Sequence, residues 1–171
     1  MSYGVFLVHL PPGKDPYKAF QDILEHRAGA PKDPGPLDPV TEEAKRRLAE
    51  SLMARNPDLE LFQRDYARIA RNHSIDKSAA RRLFRDLELN DRHHHIQITI
   101  FDDAVGVSFS LSGAPPECTE ALRVFWNCLE VLESEGAFST YDTQIDKILD
   151  LKSDFAAVQE FACGVIGSTL T

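Results

Sequence analysis

The sequence predicts an α+β fold: a mostly antiparallel sheet with a central β-hairpin at about 94–111, packed by helices on one face. Three observations predict it. Residues 94–101 and 105–111 each alternate apolar and polar side chains, with Asp102-Asp103-Ala104 between them. Cys118, Leu122, Phe125, Leu129 and Leu132 recur at helical steps of four and three. Strand-like runs follow one another in the middle of the chain while helical periodicity dominates both ends, which favours segregated layers over a βαβ repeat.

At 171 residues, 43% apolar and 27% charged, the chain is expected to form a single domain spanning 1–171 with its own core. "GVFLVHL" reads as a first strand, since it has neither a basic leader nor a small-residue cleavage site. Pro16 opens a helix carrying Tyr17, Phe20, Leu24 and Arg27 on one side, and the proline-rich "GAPKDPGPLDP" (29–39) is a surface loop. Thr41 is read as the N-cap of a helix whose buried stripe is Ala44, Leu48 and Leu52, ended by Asn56-Pro57. Residues 58–73 are read as a second helix, with Arg64, Arg68 and Arg71 as a solvated stripe. A short helical turn at 74–80, a strand at 82–90, and the hairpin follow. The helix after Pro115-Pro116 ends at Gly136; a short strand "AFSTYD" and a helix over 154–166 complete the chain.

The net charge of −8 argues against nucleic-acid binding, which wants a basic surface. No apolar run approaches the roughly 20 residues of a membrane span. Cys118 and Cys128 lie ten residues apart on one helix, roughly 15 Å along its axis, too far to pair. Three reduced thiols and a cytoplasmic location are therefore expected, and no cofactor motif is present.

Two patterns are candidate sites. His93 and His95, at i and i+2 of a strand, would share a face and could hold one metal ion. With Asp102 or Asp103 they would make a small metal-dependent hydrolase; the aspartates otherwise suit a turn. The second pattern is "TYDTQ" at a strand exit, where Tyr141, Asp142 and Gln144 offer hydrogen-bonding groups to a partner. Glu130 and Glu133, with Glu117, Glu120, Glu135, Asp146 and Asp150, extend that acidic surface.

The blocks "LMARNPDLELF", "ARRLFRDLELND", "IQITIFDD" and "VFWNCLEVLESEGAFSTYDTQIDKILDL" resemble a group of small bacterial α+β proteins whose late strand runs into "YDPQ". Thr143 stands here where that pattern has proline. Some groups of this kind are similar to immunity proteins of bacterial toxin systems. The resemblance implies a non-enzymatic protein–protein interaction module that neutralises a basic toxin, for which an acidic surface is complementary. Homodimerisation through an exposed strand is a further expectation.

Overall fold

A computed structural model describes residues 2–13, 15–28, 34–110 and 115–169, except the side chains at 24, 26–28, 115 and 165–169. It confirms the α+β architecture: six helices and one open, seven-stranded antiparallel sheet. The strands are β1 (Ser2–Val8), β2 (Leu59–Leu61), β3 (Leu87–Asp91), β4 (Ile96–Ile100), β5 (Ala104–Ser110), β6 (Ser139–Asp142) and β7 (Lys147–Ile148). The helices are α1 (Pro16–Ala28), α2 (Pro39–Arg55), α3 (Tyr66–His73), α4 (Lys77–Leu83), α5 (Pro115–Gly136) and α6 (Phe155–Thr169). Sheet order is β2-β3-β4-β5-β1-β6-β7, so the strand nearest the start of the sequence lies between β5 and β6.

The alternation read from the sequence decides which side is core. Val5 and Leu7 of β1, Leu89 of β3, Ile96, Ile98 and Ile100 of β4, and Val105, Val107 and Phe109 of β5 all point to one side. There they meet Leu48 and Leu52 of α2, Leu122, Phe125, Leu129 and Leu132 of α5, and Val158 and Ala162 of α6. Each such side chain contributes about 1.5–3 kcal/mol by leaving water. Tyr3, Phe109 and Phe125 form an edge-on aromatic cluster at its centre, with ring centroids 5.0–5.7 Å apart. On the opposite side α1 covers only the β1–β6 end, where Phe20 stacks on Tyr141 and joins Val8 and Ala104.

Aspartates start the first four helices. Asp15 precedes Pro16 and accepts from the Lys18 amide (2.8 Å); Asp38 precedes Pro39 and accepts from the Thr41 amide (3.0 Å). Asp65 and Asp76 cap α3 and α4 in the same way. The α2 cap is thus Asp38 and not Thr41, because proline at the first helical position leaves the preceding aspartate to satisfy the free amides.

Other expectations are corrected. Residues 58–73 are not one helix: Leu59–Leu61 pairs with β3 before α3 begins, and three residues are too few to display a period. Leu83 belongs to α4, and β3 begins only at Leu87. Strand β4 begins at Ile96; Arg92–His95 form the β3–β4 turn, with His95 at a left-handed φ of 55°. The cysteines are not all reduced, since Cys118 on α5 and Cys163 on α6 form a disulfide with Cα atoms 5.7 Å apart. Cys128 is the buried free thiol, and burial pushes its pKa up to about 12. Residues 29–33 of the expected loop and Leu111 of the expected hairpin lie outside the described residues. No described helix is long and apolar enough to cross a membrane.

Candidate partner-binding face

Among the described residues, α1 packs on the sheet side opposite the core at the β1–β6 end, and the side chains beyond it line up in rows set by the strand register. One row runs Glu60, Asn90, Gln97, Ser108, Gly4 across β2, β3, β4, β5 and β1. At 4.7–4.9 Å per strand this row extends roughly 19 Å. The neighbouring row runs Glu88, Thr99, Gly106, Phe6, Tyr141. Phe62 extends it at the β2 end, its amide donating to the Glu88 carbonyl (2.8 Å).

Small residues make the middle of this face a trough. Gly106 lies beneath Phe6 and Phe101, whose rings stack at 6.3 Å. Gly4 lies so close to β5 that a Cβ there would come within 3.2 Å of the Val107 carbonyl. A groove of about 330 Å³ runs over these residues with Gln97, Thr99, Ser108 and Thr143 on its walls. A second groove, about 720 Å³, continues over β2–β4 along Glu60, Phe62, Glu88, Asn90, Arg92, His95 and Gln97.

Glu88 organises the polar half. Its Oε1 accepts from Asn90 Nδ2 (3.0 Å) and Gln97 Nε2 (2.9 Å), and its Oε2 is 3.6 Å from an Arg64 nitrogen. A carboxylate accepts only from the amide NH2 groups, so both amide carbonyl oxygens turn away from Glu88. Arg64 also pairs with Asp86, so it belongs to a local ion network and not to a basic helix stripe.

The strand exit joins the rim of this face but is largely consumed by the fold. Tyr141 and Asp142 are both buried. Asp142 accepts the Tyr3 hydroxyl and the Gln144 amide (2.8 Å), and Tyr141 donates to Asp146. That bond, with burial adding to it, raises the Tyr141 pKa to about 12. Gln144 is exposed; its Oε1 accepts from the Gly4 amide and its Nε2 donates to the Ser2 carbonyl, both at 3.3 Å, so it clips the start of β1. Glu133 is half-buried and accepts from the Thr140 hydroxyl (2.8 Å). Burial raises its carboxyl pKa, and the Thr140 bonds only partly oppose this. Glu130 is exposed on the helical side, in a groove between α2 and α5.

No family model, curated protein or solved structure matches this chain.

The histidines and hairpin aspartates are not brought together. His93 and His95 occupy the turn before β4, whereas Asp102 and Asp103 follow it, roughly 20 Å away along the strand. Being in a turn, His93 and His95 also lose the shared-face geometry of a strand. Asp102 is engaged by Lys45 Nζ (2.9 Å) and Arg85, and Arg85 also binds the carbonyls of Pro34, Gly35 and Pro36. Burial raises the Asp102 carboxyl, but the bonds and charges of Lys45 and Arg85 outweigh it and leave the pKa lowered.

His94 is the histidine with a carboxylate partner. Ligand-capable atoms of Asp58, Asp91 and His94 lie within 4.8 Å of one another. Asp91 Oδ1, however, accepts the amides of His93 (2.8 Å) and His94 (3.0 Å). Its Oδ2 meets Asn56 Nδ2 (3.1 Å) and His94 Nδ1 (2.9 Å). Four partners account for the full capacity of that buried carboxylate. Asp91 is the lock of the turn, and the aspartate–amide spacing that marks it was present in "NDRHHH".

Proposed function

We propose that this protein is a non-enzymatic interaction module of the immunity type, which neutralises a basic bacterial toxin by covering it. The observation that carries the reading is the sheet face beyond α1, a five-strand surface with acceptors and half-exposed aromatic rings. An acidic chain favours encounter with a basic partner, and the rows on the face supply short-range contacts. The edge strands are short, three residues in β2 and two in β7, so a broad face is better suited to recognition here than strand addition.

The test is growth rescue and direct binding with the product of an adjacent toxin-like reading frame. Native protein should protect and bind. Gln97→Arg with Ser108→Arg should abolish both while leaving thermal unfolding unchanged, whereas Glu130→Arg on the helical side should have little effect. Full protection by the double variant would overturn the assignment to this face.

A further inference from the structure

The groove over β2–β4 has a chemistry more specific than an acidic surface. Glu60 is exposed on its row. Beside it stand Asn90 and then Gln97, each of which spends one of its two amide N–H donors on Glu88. Their carbonyl oxygens, turned away from Glu88, are left as acceptors in the row that Glu60 begins. At the margin Phe62 presents a ring that is 48% exposed in the same groove.

We infer that this groove is a guanidinium site, receiving one arginine side chain of a protein partner. This rests on the reading of the sheet face as the partner surface, and it names what that surface recognises. A guanidinium offers five N–H donors in a planar fork, which suits a carboxylate with an amide carbonyl on the neighbouring strand. Its flat face stacks on an aromatic ring, whereas a lysine ammonium is a compact, strongly hydrated charge that matches neither feature as well. Three carboxylates line the groove (Glu60, Glu88 and Asp91) against one guanidinium, that of Arg92 at the turn end. Asp91 is buried in its turn and Glu88 is partly neutralised by Arg64, so Glu60 is the charge that selects the ligand.

The probe is a blocked Gly-Arg-Gly peptide, compared with Gly-Lys-Gly, titrated into the full chain and followed by two-dimensional amide NMR. The arginine peptide should shift amides of residues 59–63, 88–91 and 95–97 and bind at least fivefold more tightly than the lysine peptide. Glu60→Gln should weaken it about tenfold, and Phe62→Leu, which keeps the apolar bulk but removes the ring, should erase the arginine preference. Equal affinity for the two peptides would overturn the guanidinium assignment, as would shifts centred elsewhere or none at all. Because toxin protection is read separately with the Gln97 and Ser108 variants, this site can fail while the partner face stands, and the reverse.

Discussion

Tyr3 of β1 donates its hydroxyl to Asp142 at the end of β6, joining positions 139 residues apart, and both side chains are buried. Removing the donor leaves a buried carboxylate with only its backbone partners. Tyr3→Phe should therefore cost about 1–3 kcal/mol in urea unfolding. Burial, with the Asp142 bond and charge adding to it, raises the Tyr3 pKa. The folded state then holds the phenol proton more tightly than the unfolded chain, so this stabilisation is complete below about pH 10 and is lost as pH climbs above it. The alkaline fall in stability should be shallower in Tyr3→Phe; an unchanged slope would remove Tyr3 as its source.

Asp102 should govern part of the acid limb. Its folded pKa is lowered, so its contribution is present above the ordinary carboxylate value near 3.9 and is lost as pH falls below it. Asp102→Asn should lower neutral-pH stability by about 1–3 kcal/mol, because Lys45 stays buried with one anionic partner fewer. Between pH 4 and 2 the variant should lose less further stability than the native protein. Circular dichroism across that range measures both.

Reduction tests the α5–α6 link. The disulfide closes a separation of 45 residues, for which loss of the cross-link costs roughly 2–4 kcal/mol. A lower urea midpoint for Cys118→Ser, or for the native chain in reductant, is the expected result. Alkylation of native protein without reductant should modify neither Cys118 nor Cys163.

The two trough glycines should respond in opposite directions. At Gly4 a Cβ would press on the Val107 carbonyl and Ser108 Cβ, both at 3.2 Å, and backbone cannot swing aside. Gly4→Ala should cost about 1–3 kcal/mol. At Gly106 the nearest atoms are the Phe6 and Phe101 ring edges, at 3.7 and 3.9 Å, an ordinary contact. Gly106→Ala should be about 0.5 kcal/mol more stable through a less flexible unfolded chain. Thermal midpoints of the pair decide the point.

Three adjacent histidines should prove unequal. His94→Ala loses the Asp91 partner and should cost about 1–2 kcal/mol, whereas exposed His93→Ala should change stability by less than about 0.5 kcal/mol. His95→Gly should stabilise by about 0.5–1 kcal/mol, since glycine adopts the left-handed backbone there without a Cβ penalty. Denaturant midpoints of the three single variants test this order.

The hairpin and α5 were readable in the sequence because their apolar residues repeat often enough to define a period. Ile96, Ile98 and Ile100 face Val105 and Val107 as alternation requires, and Leu122 to Leu132 do the same on a helix. Strand β2 was not readable, because Leu59 and Leu61 are fixed by β3 and not by a local pattern. The same holds for Cys118 and Cys163, whose pairing depends on how α6 packs. Of the candidate site, the polar strand exit was visible from residue types. That Asp142 would turn inward to Tyr3 depended on β1 and β6 becoming neighbours, which no local spacing records.

The position of β1 sets a timetable for the growing chain. Val8 has Ala104 on one side and Ser139 on the other, so this strand is made early and paired late. Its apolar side chains must stay unpaired until most of the sheet has left the ribosome, and closing such distant pairings slows folding. Neighbouring β3, β4 and β5 can pair as they emerge, but completion of the sheet waits until β1 is enclosed between β5 and β6, and until then its apolar side chains are open to aggregation.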